Sequence, residues 1–396
     1  MNNIINNMLF ERILSHHGKM TKIEWFDAQP AFGNGENYSS SLTKLDVKYS
    51  DGNAIQRKRF IMKATLGEKL VRSRNVFAKE ICIYNEIIPR IESVFKAANI
   101  PTKLTPKCYD SDVQQSYLIL EDLTFANYYT IPRSQGLNFD HIKLCLRTLA
   151  LWHAASVKIM NNEIPSFYDI FLMPHVSLNG SPHYRTLFEN AVSACSKTFE
   201  NHSNLQKIAQ KLNQLTNRVF EKCCVATERY DKALNVLTHG DLWSNNIMFS
   251  TELSTETLPL FLDFQMSYFG SPILDVSYLL FTSANDTVTS DEFNQLFDYY
   301  CEQLIDVMLK LDLPTSTIPS KIQLQNEFDV RGCYGAFFSL FSVPMRILEH
   351  ANDNDVKLFL NKSQEGREFR EQIYSNPNVQ TLLINLLTYF NKKHFL

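Results

Sequence analysis

The stretch Thr238–Gln265 opens THGDLWSNNIMFS (residues 238–250) and closes LPLFLDFQ (residues 258–265), with a polar insert between the two. Three side chains in it carry complementary chemistry. Asp241 and Asn246 stand five residues apart in a short loop between apolar runs, and Asp263 follows Asp241 by 22 positions, closing the apolar strand Leu260–Leu262. Transfer of a phosphoryl group to a hydroxyl can be run by such a set. One carboxylate accepts or orients the proton of the attacking hydroxyl, while an amide and a second carboxylate hold Mg²⁺ on the nucleotide phosphates. The rest of the chain is then expected to build a nucleotide cleft and a substrate pocket around this stretch.

The bulk numbers are compatible with that expectation. A chain of 396 residues exceeds one simple core and predicts two lobes. Hydrophobic residues at 44% and charged residues at 20% describe an ordinary globular protein. The net charge of −3 offers no electrostatic footprint for nucleic acid, so none is expected as a partner. No apolar run approaches the roughly 20 residues that span a bilayer, which predicts no membrane insertion. The N-terminal MNNIINNMLFERILSHH does not read as a signal peptide, and a cytoplasmic location is expected. Eight cysteines without a CxxC pair read as buried thiols of a reducing compartment rather than zinc ligands.

Periodicity divides the chain. A helix is predicted over Met8–His17, then strands over Trp25–Phe32, Ser39–Tyr49 and Ile55–Ala64, with Asp51-Gly52 as a hairpin turn. A long amphipathic helix over Val71–Ala98 is expected to bend or split at Pro89, and short strands follow near Lys107–Tyr109 and Ser116–Leu120. The polar segment Glu121–Gly136 reads as a hinge. Beyond it, helical spacing dominates: Asn138–Met160, Pro182–Ser203, Leu205–Arg229, Ile273–Ser283, Ser290–Leu311, Gln323–Asn352 and Arg367–Lys393. The expected class is α+β, with a nucleotide-binding β-rich lobe over 1–122, a linker over 123–137 and a helical lobe over 138–396.

His239-x-Asp241-x-x-x-x-Asn246 followed by Asp263-Phe264-Gln265 resembles the catalytic and metal-binding motifs of small-molecule kinases, the choline-kinase and aminoglycoside-phosphotransferase relatives of the protein kinases. HGD and DFQ stand where protein kinases show HRD and DFG. Within that branch, HGDLWSNN, the preceding VLT, LDFQ and the later Asp275 resemble the ecdysteroid kinase-like family. The resemblance implies a bilobal protein-kinase-like fold, with a small antiparallel-sheet lobe carrying one main helix and a larger helical lobe. It implies ATP and Mg²⁺ as cofactors, Asp241 as catalytic base or orienter, and Asn246 and Asp263 as metal ligands. His239 reads as a loop-shaping residue, Asp275 as a carboxylate bracing the loop, and His153 as a core histidine with its hydrogen bonds satisfied.

The same resemblance places the nucleotide in the β lobe. Lys63, in FIMKA, matches the phosphate-binding lysine, and Glu80, in FAKEICIY, the helix carboxylate that pairs with it; Glu86 and Glu68 are rivals for that pairing. The turn Gly33-Asn34-Gly35-Glu36-Asn37-Tyr38-Ser39-Ser40 stands where a phosphate-covering loop belongs. Gly33 and Gly35 would admit close backbone approach, and Ser39 and Ser40 would add hydroxyls. Backbone groups of Glu121 and Leu123 would meet adenine. The acceptor is a small-molecule alcohol, and the family implies an ecdysteroid or another lipophilic or xenobiotic alcohol. A choline-, ethanolamine- or aminoglycoside-type kinase and a catalytically silent binding protein are the alternatives. Aromatic residues in Tyr334–Phe341 could line the acceptor pocket or simply face the core. Oligomeric state is not legible.

Overall fold

The computed structural model describes residues 4–15, 21–31, 41–52, 54–65, 69–160, 166–180, 182–252, 257–348 and 353–396. Helix α1 (Asn7–Leu14) starts at Asn6, whose side chain accepts the Leu9 N–H at 3.0 Å. Strands β1 (Lys22–Pro30), β2 (Ser41–Ser50) and β3 (Ile55–Ala64) follow. Next come helix α2 (Lys69–Cys82), a π-helical turn at Ile83–Ile87, α3 (Ile88–Ala97), and strands β4 (Cys108–Asp112) and β5 (Tyr117–Glu121). The strands make one antiparallel sheet in the order β1-β2-β3-β5-β4.

Strand alternation sorts this sheet into two faces. Phe60, Met62, Ala64, Tyr117 and Ile119 pack with Leu9, Phe10, Ile13 and Leu14 under α1. Leu118 and Leu120 belong instead to the large core shared with Phe77, Ile81 and the helical lobe. Lys63, paired across the sheet with Leu118 and flanked by Met62 and Ala64, therefore faces away from α1. The bend expected at Pro89 takes the form of the π turn just before it. The Ile88 N–H reaches back five residues to the Ile83 carbonyl, which accommodates a proline that cannot donate a helical bond.

The segment after β5 is tied to the helical lobe. Strand β6 (Tyr128–Tyr129) pairs with β8 (Ile247–Ser250), which pairs with β9 (Leu260–Phe261). Between them lie α4 (Phe139–Met160), α5 (His183–Phe199), α6 (Gln206–Leu215), α7 (Val219–Thr227) and β7 (Val236–Leu237). Strand β10 (Phe269–Gly270) closes on β7 and leads into α8 (Ile273–Ser283), all of whose residues are buried. A helix sequestered on every side is the centre of this lobe. Of the later helices, α10 (Lys321–Arg331) and α11 (Cys333–Arg346) pack on it, α9 (Ser290–Lys310) and α14 (Pro377–Lys392) meet it at Phe281, and α12 (Asp353–Leu360) and α13 (Gln364–Tyr374) pack on α5. No described helix is long and apolar enough to cross a membrane.

Three expected helices are each divided. Leu205–Arg229 becomes α6 and α7, with the chain out of helix between Leu215 and Val219. Gln323–Asn352 breaks at Gly332, where a Cβ would lie 2.3 Å from the Phe395 ring; the run ends at Arg346. Arg367–Lys393 breaks before Pro377, where Asn376 caps α14 by accepting the Asn378 N–H at 2.9 Å. The architecture is α+β, with an antiparallel five-stranded sheet and its helices in the first part of the chain and a mostly helical remainder.

Candidate active site

The loop between β7 and β8 carries Asp241, and α8 braces it. Asp275 is buried, and its carboxylate accepts the backbone N–H of His239 at 2.6 Å and of Gly240 at 2.9 Å. It also pairs with His153 Nε2 at 3.0 Å, while His153 Nδ1 meets the Tyr300 hydroxyl at 2.7 Å. Gly240 has φ +82°, and a Cβ there would sit 2.2 Å from the Met266 carbonyl oxygen, so the close turn requires glycine. His239 donates from Nε2 to the Leu262 carbonyl at 2.9 Å and accepts the Asp241 N–H at Nδ1, 3.3 Å away. Those two bonds define the neutral tautomer, in keeping with the downward push of burial on its basicity.

The Asp241 carboxylate is held at both oxygens. Tyr278, one turn along α8 from Asp275, donates its hydroxyl to Oδ1 at 2.7 Å, and Asn246 Nδ2 reaches Oδ2 at 3.2 Å and the Asp241 carbonyl at 2.8 Å. Burial, with the nearby Asp263 and Asp275 charges adding to it, pushes the Asp241 carboxyl up to about 7 against the pull of those hydrogen bonds. A carboxylate with that affinity can take a proton from a hydroxyl near neutral pH.

The β lobe supplies the cation. Lys63 Nζ lies 2.7 Å from Glu80 Oε2 and 2.9 Å from Asp263 Oδ1. Gln265 Nε2 donates to the same Glu80 oxygen at 3.1 Å. Desolvation opposes the Lys63 charge, but the two carboxylates outweigh it and raise its basicity. Glu86 is not the partner: it is exposed and pairs with Arg90 at 3.0 Å. Glu68 and the expected phosphate loop, with Gly33, Gly35, Ser39 and Ser40, lie outside the described residues. Asp263 has φ +64°, a conformation that non-glycine residues seldom adopt and that occurs here between a buried strand and Phe264. Phe264 stacks on Trp152 at 4.8 Å and lies 4.7 Å from His239, which anchors the strained turn in the core.

Behind Lys63, Leu123 packs with Met248 and Leu260, flanked by Tyr128 and Leu262. This apolar floor joins the segment after β5 to the β8–β9 hairpin. The Glu121 N–H already bonds the Lys107 carbonyl at 2.8 Å, and its side chain takes Lys103 at 2.8 Å. The Leu123 carbonyl accepts from Ala126 and Tyr128, so the Leu123 N–H is the group left without an acceptor among the described residues.

Asn246 uses Nδ2 on Asp241, and its Oδ1 makes no hydrogen bond among the described residues. Asp263 is a third exposed. Two hard oxygen ligands suit Mg²⁺, which keeps waters and takes its remaining ligands from phosphate oxygens. No described group of three or more His, Cys, Asp and Glu side chains could hold a metal unaided.

Several residues of the site are not singled out by sequence reading. Gln265 is visible only as part of a motif, with no role. Lys79, buried beside Glu80, donates to the Ser267 carbonyl at 3.1 Å, and Ser267 in turn donates to the His239 carbonyl at 3.1 Å. Burial lowers the Lys79 amine to about 8, and His175, buried next to it and bonded to the Gln265 backbone, is held down to about 4. Tyr278 has a signal in retrospect: it lies three positions after Asp275, on the same helix face. Its ring meets Phe338 at 5.0 Å and Tyr334 at 6.3 Å, and Tyr184 and Phe188 continue the aromatic cluster.

A family model described as the Ecdysteroid kinase-like family matches residues 34–313. No curated protein matches the chain. Among solved structures, the GDP complex of an aminoglycoside 2'-phosphotransferase-IIIa mutant is similar at 12% identity and a TM-score of 0.44, with 94% of each chain covered. The microcompartment-associated aminopropanol kinase is similar at 10% identity and a TM-score of 0.43, with 99% of each chain covered.

Proposed function

The chain belongs to the ecdysteroid kinase-like family, and as a small-molecule kinase of that family we propose that it transfers the γ-phosphoryl group of ATP to a hydroxyl of an ecdysteroid or another lipophilic alcohol. One observation carries the reading. Lys63, Glu80 and Asp263 form one ion-paired group, Asp241 and Asn246 hydrogen-bond each other, and the Asp263 charge acts on Asp241, so a cation, hard oxygen atoms and a carboxylate of raised proton affinity stand together. In this reading Lys63 binds nucleotide phosphate, with Glu80 and Gln265 orienting it. Asn246 and Asp263 would hold Mg²⁺, which when bound offsets charge on the phosphates. Asp241 orients the acceptor hydroxyl and takes its proton. The Leu123 N–H would meet the base over the floor of Met248 and Leu260. The Gly33–Ser40 turn would cover the phosphates.

The test measures phosphoryl transfer from MgATP over a panel of ecdysteroids, other lipophilic alcohols, choline, ethanolamine and aminoglycosides, for the wild type and Asp241→Ala. Ecdysteroid or lipophilic-alcohol phosphorylation is expected, with kcat lowered by roughly 10²–10⁴ in the variant while nucleotide binding survives. Phosphorylation of choline or ethanolamine alone would sink the acceptor assignment. Equal turnover by wild type and variant would sink the catalytic one.

A further inference from the structure

The catalytic-loop carboxylate is gripped by a residue that has no place in the motif, and its setting says what that residue does. Tyr278 rises from α8, and its hydroxyl stands 2.7 Å from Asp241 Oδ1. The ring is almost fully buried and cannot leave easily. Phe338 lies against it at 5.0 Å in an edge-to-face arrangement, Tyr334 at 6.3 Å, and Tyr184 and Phe188 stack behind Phe338. Asp275, three residues earlier on the same helix, holds the backbone N–H groups of His239 and Gly240. One helix face thus fixes the loop backbone through Asp275 and the orientation of its carboxylate through Tyr278. Asn246 holds the other oxygen, so rotation of the carboxylate about its terminal bond is blocked from both sides.

We infer that Tyr278 is a positioning residue that acts through Asp241, setting the carboxylate plane toward the acceptor hydroxyl; this rests on the phosphotransfer reading above. A placeholder role is the competing geometry, in which the phenol hydroxyl occupies the acceptor's place and must be displaced. The aromatic packing opposes it, because no described void beside the ring is needed for the phenol to hold Asp241, whereas displacement would have to move a ring wedged among Tyr334 and Phe338.

Tyr278→Phe removes one oxygen and keeps the ring. Steady-state transfer from MgATP is measured with whichever panel acceptor is phosphorylated, or as MgATP hydrolysis where none is. The variant is expected to lose roughly 10- to 100-fold in kcat, with KM for MgATP within about twofold of wild type, since carboxylate misorientation affects the chemical step and not nucleotide binding. In an Asp241→Ala background the same substitution should change kcat by less than about twofold, because the acceptor of its hydroxyl is gone. Tyr389→Phe, which removes a hydroxyl bonded to Asn294 and touching no residue of the site, is the control and should match wild type. Unchanged or raised kcat in Tyr278→Phe overturns the inference, as does an equal loss in both backgrounds. Failure of Tyr278→Phe to fold would make the hydroxyl structural and overturn it too. A wild type that turns over neither acceptor nor ATP would instead defeat the phosphotransfer reading itself.

Discussion

On the loop side of the cleft, geometry is held through the backbone. Asp275 accepts two successive N–H groups, Gly240 takes a turn that only glycine fits, and the His239 ring spans from the Asp241 N–H to the Leu262 carbonyl. All of this is supplied by segments of the helical lobe. On the lysine side, geometry is held by side chains: Lys63 from β3, Glu80 from α2 and Asp263 from beyond β9 meet at one point, and the Gln265 amide joins them at Glu80. Among the described residues α2 is tied to this side through side chains, Glu80 to Lys63 and Gln265 and Lys79 to the Ser267 carbonyl, so its placement depends on packing and on those bonds. The first half is held by several bonds at once, all made within the helical lobe. The second exists only while α2 sits correctly against the sheet, which is the kind of element whose shifts control catalysis in kinase-like folds.

If that contrast is right, the largest loss should come from the loop brace. Asp275→Ala leaves two buried N–H groups and His153 without their acceptor, at a cost of roughly 3–5 kcal/mol in stability. Urea unfolding should show the loss, and turnover should vanish with it. A variant of wild-type stability would mean that the loop does not depend on α8. The lysine side should respond differently. Glu80→Gln keeps the shape and removes the charge, and kcat/KM for MgATP should fall about 100-fold, near 2.7 kcal/mol, with little change in unfolding. Glu86→Gln, at an exposed pair, should stay within about threefold. Equal effects from the two glutamate variants would erase the distinction between them.

The contrast also explains what could be read without coordinates. The loop half is contiguous in the chain, so His239, Asp241, Asn246 and Asp263 appear together in one stretch of residues 238–265 at recognisable spacing. The bilobal order was legible too, because strands in residues 22–64 and 108–121 alternate with period two while later segments follow the helical period. The lysine half is assembled from three elements far apart in sequence. Glu80, Glu86 and Glu68 were separable only by resemblance, and the burial of one and the exposure of another decide between Glu80 and Glu86. The helix breaks at residues 332 and 376 are not legible in the sequence because one depends on a tertiary neighbour and the other on a capping side chain rather than on periodicity. Tyr278 and Lys79 were silent for a similar reason: a tyrosine and a lysine in helical patterns look like core and surface until a partner is placed beside them.

Lys79 is where the two halves join, and it offers the smallest and most specific test. It stands beside Glu80 on α2 and donates to the Ser267 carbonyl, whose side chain donates to the His239 carbonyl. Adjacent residues of one helix thus touch the segment after Asp263 twice, Glu80 at the Gln265 side chain and Lys79 at the Ser267 carbonyl. Burial lowers the amine to about 8 in the folded protein from an ordinary 10.5. Between those values the unfolded chain binds a proton that the folded one does not, so stability should rise as pH rises from about 8 to 10.5. His175, held near 4, stays neutral across that window. The gain is at most about 3 kcal/mol, and Lys79→Met should remove it, flattening the difference in unfolding free energy between pH 8 and 10.5. Because the neutral amine can still donate to Ser267, activity should follow the wild type's pH course only where the hydrogen bond, and not the charge, couples α2 to the loop. Identical stability slopes in wild type and variant would show that Lys79 is solvated and that Glu80, through Lys63 and Gln265, ties α2 to the loop without it.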